Sequence, residues 1–246
     1  MTKERIDKLL VDLGLAESRT KAQALVMAGV VLVEERQIQK SSEQFEPTKS
    51  VRLKGESAET KYVGRGGLKL EAALSAFKID PTDYTCIDIG SSTGGFTDCL
   101  LQHGAKSVTA IDSGTNQLVW KLRNDDRVDV RENTNGRNLI REDFGSLFDL
   151  AVMDVSFISV TKIIPAIIEL LIPNGSIVVL IKPQFEVGRG EVGKGGVVRD
   201  HEKHARVVEE VNNFARNLGL EVRGMIDSPI SGAKGNKEFL AYYAKC

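Results

Sequence analysis

From about residue 84 onward, short apolar runs alternate with segments whose apolar positions recur every three or four residues. The runs predict strands at 84–89, 107–111, 127–131, 148–155, 175–181, 220–226 and 238–244. The amphipathic segments predict helices at roughly 67–77, 95–103, 116–122, 160–171 and 200–218. Strands alternating with helices predict an α/β fold: a seven-stranded, mostly parallel, doubly wound sheet covered on both faces. The interval from Ile226 to Glu238 is too short for a helical crossover, so the last strand is expected to be antiparallel to its neighbour. Glu238, its first residue, then lies at the edge where the parallel strands end, which is where such sheets bind ligands.

The first 60 residues carry a different pattern. Ile6, Leu9, Leu10 and Leu13 follow helical spacing, with Arg5, Lys8 and Asp12 outside, and Gly14 is placed to close the helix in a left-handed cap. Ser18 is a candidate cap for a second helix, in which Ala22, Leu25 and Val26 face inward and Gly29 ends the run. Two short strands follow, Val30-Val31-Leu32-Val33 and Gln37-Ile38-Gln39, joined through Glu34-Glu35-Arg36. The polar stretch 43–61 reads as the end of the hairpin plus a linker. This helix–helix–hairpin unit resembles the S-four-type RNA-binding domain, on Arg5-Ile6-Asp7-Lys8-Leu9-Leu10, Ser18-Arg19 with Ala22, and Gly29-Val30-Val31-Leu32-Val33. Arg5, Lys8, Arg19 and Lys21 would form a cationic face for RNA phosphates, with a strong salt dependence. That family usually turns its hairpin on Asn-Gly, whereas Glu34-Glu35 brings acid to the tip.

Chemistry concentrates on Cys86-Ile87-Asp88-Ile89-Gly90-Ser91-Ser92-Thr93-Gly94-Gly95-Phe96-Thr97-Asp98, a strand, a tight turn of small residues and a helix start. Glycines let backbone approach a ligand closely, and the helix directs free N–H groups into the same crevice. Asp112 ends the next strand, roughly 20 residues on, where a carboxylate suits a ribose diol. Gly90-Ser91-Ser92-Thr93-Gly94 also matches the hydrolase elbow G-x-S-x-G, but His103, His201 and His204 are poorly placed for a triad. The turn departs from the G-x-G-x-x-G of dinucleotide sites, and Asp88 with the loose glycine pattern fits S-adenosylmethionine better. The cofactor-binding candidates are Asp88, Gly90, Ser91, Gly94, Gly95, Phe96 and Asp112.

Four further polar residues fall at the same predicted edge. Asp154 and Lys182 end two strands, Glu238 begins the last, and Lys69 comes from the helix opened by Gly64-Arg65-Gly66-Gly67. This Lys-Asp-Lys-Glu set resembles that of the FtsJ-like ribose 2′-O-methyltransferases. The whole chain resembles the TlyA family, on Gly64 to Leu70, Asp88 to Asp98, Asp154-Val155-Ser156-Phe157-Ile158-Ser159, Lys182-Pro183-Gln184-Phe185-Glu186 and Gly235-Asn236 before Glu238. After Asp112, Ser113-Gly114-Thr115-Asn116 departs from the usual residues.

The resemblance implies an S-four-type domain and linker at 1–60 and a Rossmann-like methyltransferase domain at 61–246. It implies S-adenosyl-L-methionine as cofactor, no metal, and ribosomal RNA or ribosomal subunits as partner. The reaction implied is methylation of a cytidine ribose hydroxyl in ribosomal RNA, and some members carry a haemolysin label. Lys69, Asp154, Lys182 and Glu238 are the expected catalytic set, with Lys182 as base or proton-orienting group, and Arg65 joins the RNA-binding candidates. A neighbouring cation favours the neutral amine that a base needs, whereas neighbouring carboxylates favour the ammonium. Asp154-Val155-Ser156-Phe157 stands where amino-methylating enzymes have Asn/Asp-Pro-Pro-aromatic, and the strand-end loops lack the cysteine of carbon-5 cytosine enzymes. The competing class is a non-catalytic RNA-binding ribosome factor, against which the intact set argues.

Composition adds limits. The 246 residues are 41% hydrophobic and carry a net charge of −1, with +2 on residues 1–65 and −3 on the rest. Charge alone therefore does not indicate nucleic acid. The longest apolar runs are broken by Pro165, Glu169 and Pro173 and fall short of a membrane span, which disfavours a membrane-inserting toxin. Cys86, Cys99 and Cys246 form no C-x-x-C pair and fit reduced thiols in the cytoplasm. Gly188-Arg189-Gly190-Glu191-Val192-Gly193 matches G-x-G-x-x-G but opens no helix, so 184–199 reads as a substrate lid with Arg189 and Lys194 near phosphates. His201 and His204 read as a solvated pair, and Trp120 as core.

Overall fold

The computed structural model describes residues 3–34, 36–49, 51–53, 61–188 and 190–245. Glu35 at the hairpin tip, linker residues 54–60, Arg189 of the expected lid and Cys246 lie outside the described residues.

The N-terminal unit comprises β1 (Glu4–Arg5), α1 (Ile6–Asp12), α2 (Arg19–Met27), β2 (Val31–Val33), β3 (Arg36–Gln37), β4 (Gln44–Phe45) and β5 (Val51–Leu53). Ser18 caps α2, its hydroxyl accepting from the Lys21 amide at 3.3 Å. Gly14 and Gly29 adopt φ of +70° and +68° at the two helix exits. Ile6, Leu9, Leu10, Ala22, Val26, Val31 and Val33 form one cluster, while Leu13 differs from expectation in being 48% exposed. The polar stretch after residue 43 is more structured than a linker. Gln44–Phe45 pairs with Glu4–Arg5, and Val51–Leu53 forms the second partner of β2 because Val51 and Leu53 pack on the same cluster.

The remainder is one seven-stranded sheet. In chain order its strands are β6 (Thr85–Ile89), β7 (Ser107–Ile111), β8 (Val128–Arg131), β9 (Phe148–Met153), β10 (Leu171–Ile181), β11 (Leu220–Asp227) and β12 (Phe239–Lys245). Across the sheet they run β11-β12-β10-β9-β6-β7-β8, and β12 alone runs opposite to the other six. The sheet is buried on both faces with period two. Cys86, Val108, Leu150, Val152, Val178 and Leu180 pack against α3 (Gly66–Phe77) and α4 (Gly95–Gln102). Ile87, Ile89, Ala151, Met153, Val179 and Ile181 face the other way, toward α6 (Ile164–Ile168) and α8 (His201–Asn217).

Two predicted helices depart from their spans, and one short helical turn is additional. Of 116–122, only α5 (Trp120–Arg123) is helical, because the Glu132 carboxylate accepts the amides of Asn116, Gln117 and Leu118 and holds them as a loop. The helix at 160–171 divides into a 3-10 turn, Val160–Lys162, and α6, and β10 begins at Leu171, which pairs with Phe148. Pro183–Glu186 forms a single turn, α7. Trp120 is half-buried rather than core. It lines a 160 Å³ cavity with Leu15, Leu25 and Lys21, between the N-terminal unit and the sheet domain.

Candidate active site

Strand register sets the site. Ile89 pairs with both Ile111 and Met153, Val179 with Met153, and Ile181 with Phe239. The flanking residues Gly90, Asp112, Asp154, Lys182 and Glu238 therefore lie along one edge of the sheet. Gly90 has φ of +82°, and a Cβ there would meet the Asp154 carbonyl oxygen at 2.6 Å, so only glycine lets the turn pass so close. Lys69 is brought in by glycine packing as well. A Cβ on Gly95 would meet the Gly67 nitrogen at 2.9 Å, so the first turns of α3 and α4 touch backbone to backbone. Lys69 then points from α3 to the strand ends.

The four residues form one chain of charges. The Lys182 ammonium lies 2.6 Å from Asp154 Oδ1 and donates to Ser156 Oγ at 2.9 Å. Lys69 Nζ donates to Glu238 Oε2 at 2.6 Å and lies 4.0 Å from Asp154 Oδ2. Lys69, Lys182 and Glu238 are all buried, and two cations balance two carboxylates, which offsets the cost of removing each from water. Gly232 leaves room for Glu238, since a Cβ there would lie 2.0 Å from its Oε1.

Three adjoining cavities meet at Asp154 and Ser156. The largest, 540 Å³, runs from Asp112, Gly114 and Gln117 past Asn135 and Gly136 to Phe157. A second, 240 Å³, lies between Arg65-Gly66 and the turn Gly90 to Phe96. The third, 460 Å³, contains Lys69, Lys182, Glu238, Arg65, Phe157 and Phe185.

The first of these fits a nucleoside cofactor in size and chemistry. Asp112 is held rigidly at its end, with Oδ2 accepting the Ser92 amide at 2.8 Å and Oδ1 the Gly114 amide at 2.7 Å. Its remaining lone pairs are available to a diol. Ile89, Ile111, Val155, Ile158 and Ile163 give the apolar wall that a purine needs.

The other cofactor candidates divide by position. Gly90 lines two of the cavities. Ser91, Gly95 and Phe96 line the 240 Å³ cavity, so Phe96 does not border the cavity that holds Asp112. Gly94, with φ of +102°, packs where a Cβ would strike Leu122. Asp88 lies beneath the turn and lines none of the three cavities. It is wholly buried and accepts from the Thr97 hydroxyl at 2.7 Å, while its Oδ1 has no partner, and burial pushes its carboxyl up to about 7.

Arg65 stands exposed beside the charged set and lines two of its cavities. The other cationic candidates are already paired. Arg5 and Arg19 both reach the buried Asp7, Lys8 pairs with Glu4 and Asp12, and Lys21 with Glu17. The Arg5 hydrogen bond, opposed by burial and aided by Gln23 and Arg19, holds the Asp7 carboxyl well below the usual range. The four cations nonetheless keep 41–57% of their side-chain surface in water.

Several residues emerge only from the structure. Phe157 is 91% exposed with φ of +64°, and its ring lies 5.1 Å from that of Phe185 at the mouth of the charged cavity. Ser156 reaches all three cavities. Glu186, half-buried on α7, accepts from Ser159 Oγ at 2.6 Å and the Val160 amide at 2.9 Å, tying the loop after β9 to the turn after β10. The only signal for these in the sequence is their place in strand-end loops. His204 is not solvated: it is buried, with Nε2 2.8 Å from the Val198 carbonyl oxygen. The expected lid is pinned at its far end, where Asn236 bonds Gly196 and Val198, and Lys194 is exposed.

The fold and the charged set together define a class, that of methyltransferases built on a doubly wound sheet. The FtsJ-like methyltransferase family model matches residues 62–245 and the S4 domain model residues 4–49, and the chain belongs to the FtsJ-like methyltransferase family with an N-terminal S4 domain. It is 44% identical over 238 residues to the 16S/23S rRNA (cytidine-2′-O)-methyltransferase TlyA of Mycobacterium tuberculosis, covering 97% of this chain and 88% of that one. It is 43% identical over 240 residues to Hemolysin A of Brachyspira hyodysenteriae, covering 97% and 99%. A solved structure from Streptococcus thermophilus that carries the hemolysin label shares 48% identity and a TM-score of 0.75, covering all of this chain and 89% of that one. Among the described residues no helix is long and apolar enough to cross a membrane.

Proposed function

We propose that this chain transfers a methyl group from S-adenosyl-L-methionine to the ribose 2′-hydroxyl of a cytidine in ribosomal RNA, acting on ribosomal subunits in the cytoplasm. The observation that carries this reading is the unbroken contact of Lys69, Glu238, Asp154 and Lys182 where the nucleoside-sized cavity meets the open one. The relatives named for cytidine ribose methylation support the same substrate.

Asp112, Gly90 and the apolar wall would hold the cofactor, with Ser91, Gly94, Gly95 and Phe96 shaping the turn and Asp88 supporting it from below. When bound, the cofactor supplies an activated methyl group on a sulfonium. A ribose hydroxyl is a poor nucleophile until its proton leaves, and Lys182 Nζ is the group to take it, after first giving up its own ammonium proton to become the neutral amine. Asp154 fixes Lys182, while the Lys69–Glu238 pair fixes Asp154 from the other side and presents a cation to the substrate oxygen. Exposed Phe157, with Phe185 behind it, offers an aromatic face for an unstacked base. Holding the hydroxyl in line with an activated methyl supplies much of the rate by orientation alone.

Residues 1–60 act as the RNA-binding part and 61–246 as the methyltransferase. Arg5, Lys8, Arg19, Lys21 and Arg65 contact phosphate by exchanging their present carboxylate or water partners for RNA, so affinity falls steeply with salt.

The test is transfer of labelled methyl to unmodified ribosomal subunits by the wild type and by Lys182→Ala. Alkali-resistant dinucleotides in the product place the label on a ribose oxygen. Label with the wild type and its loss in the variant support reaction and site together. No label on either subunit, with measurable cofactor binding, sinks the reading in favour of a non-catalytic RNA-binding factor.

A further inference from the structure

We infer that Ser156 is a positioning residue for Lys182, holding its amine so that the one free direction on Nζ faces the substrate hydroxyl; the inference rests on the proposed ribose methylation.

The argument is one of hydrogen-bond valence. A lysine ammonium has three donors, whereas the neutral amine has two N–H groups and one lone pair. Two hydrogen-bonding directions on Lys182 Nζ are taken in the structure, by Asp154 Oδ1 at 2.6 Å and Ser156 Oγ at 2.9 Å, while the Phe185 ring, 5.9 Å away, faces Nζ without taking a hydrogen bond's place. Neutral Lys182 can keep both bonds through its two hydrogens, and the third tetrahedral direction then carries the lone pair. With Asp154 alone, the amine would rotate about its terminal bond and spread that lone pair over several directions. With both acceptors in place, rotation is stopped.

The surroundings show where the third direction is free to lead. Lys182 is only 7% exposed, and the cavities it lines are the two that also hold Arg65 and Gly66. Ser156 lines both of these and the Asp112 cavity as well, so it stands at the junction of the nucleoside end and the open end. Its own position is secured from behind. Glu186 accepts from Ser159 Oγ and the Val160 amide, which fastens the loop bearing Ser156 to the turn that follows Lys182. The base and the group that orients it are thus tied together from two strands.

The step keeps its balance. The ribose O–H proton passes to the Lys182 Nζ lone pair, the freed oxygen pair forms the new O–C bond, and the electrons of the breaking S–C bond remain on sulfur. Lys182 becomes an ammonium, still bonded to Asp154 and Ser156, and later gives the proton to water. Ser156 takes up no proton and acts only through its bond to Lys182 Nζ. Its contribution is direction.

Ser156→Ala and Ser156→Thr are compared with the wild type for kcat and KM on ribosomal subunits, binding of S-adenosylhomocysteine by calorimetry, and thermal midpoint. The alanine variant is expected to lose about 10- to 100-fold in kcat, part of what a positioned base contributes. RNA KM, homocysteine-product affinity and thermal midpoint should stay near wild type, and threonine, which keeps the hydroxyl, should recover most of the rate. Wild-type kcat in Ser156→Ala overturns the inference, as does a threonine variant no faster than alanine. A loss of product affinity as large as the loss in kcat also overturns it, by placing Ser156 on the cofactor. A wild type that labels no ribosomal RNA sinks the underlying reading instead.

Discussion

Lys69 and Glu238 are 169 positions apart in the chain, yet their side chains meet at 2.6 Å with 10% and 2% of their surface exposed. The pair closes the charged set because α3, which precedes the sheet, packs its glycine start against α4 while β12 returns antiparallel between β11 and β10. A buried ion pair of this kind is weak evidence for stability, whereas removing one partner leaves an uncompensated buried charge.

Glu238→Gln should therefore abolish most methyl transfer and lower stability by about 3 kcal/mol, because it leaves Lys69 buried beside only the more distant Asp154 carboxylate. A Lys69→Met, Glu238→Leu double variant should recover much of the stability and none of the activity. Urea unfolding with a parallel methyl-transfer assay separates the two, and a double variant that regains activity would contradict the assignment.

Asp88 makes stability depend on pH in an unusual direction. Its carboxyl is raised from 3.8 to about 7 in the folded protein, by burial first and then by the nearby Asp154 and Asp112 charges, against the Thr97 bond. Below pH 4 both states hold the proton and the group has no effect. As pH rises toward 7 the unfolded chain ionises first, so this contribution falls by up to about 1.4 kcal/mol per unit and then levels. Asp88→Asn lacks this slope but leaves an amide without a partner, so its stability relative to wild type should improve from pH 5 to pH 7. A pH-independent difference in urea midpoints would refute this.

Asp112→Asn should weaken S-adenosylhomocysteine binding at least about tenfold, or 1.4 kcal/mol. The amide oxygen can replace only one of the two acceptors now bonded to Ser92 and Gly114, and the charge facing the diol is lost. Calorimetry measures the affinity and circular dichroism checks the fold. Wild-type affinity would move the nucleoside away from this end of the cavity.

Asp7 has the opposite pH behaviour from Asp88. Its folded value lies below 3.8, so its stabilisation is present above pH 4 and is lost as pH falls further. Asp7→Asn should cost about 2 kcal/mol, less than a fully buried pair because Arg5 and Arg19 are half in water. With its two arginines no longer aimed, the variant should bind RNA more weakly at low salt. Filter binding across a salt series reads this, and an unchanged affinity would remove Arg5 and Arg19 from the RNA face.

The sequence by itself determined the strands of the sheet to within a few residues, the antiparallel return of the last one, the glycine turn and the residues of the charged set. Period-two burial and strand-end placement are local properties, and the Ile226–Glu238 interval limits the crossover by length alone. The tertiary structure decided what depends on neighbours distant in the chain. Glu132 unwinds the predicted start of α5 by taking three of its amides, and the core under β2 makes a strand of Val51–Leu53. The buried Asp7 converts a free cationic face into a clamped one, and Asp88 sits below the cavity rather than in its wall. Ser156 and Phe157 acquire their positions from the same cause. A loop residue's orientation is fixed by what packs against it, here Glu186, Lys182 and Phe185 from the next strand's end, and no periodicity within the loop encodes that contact.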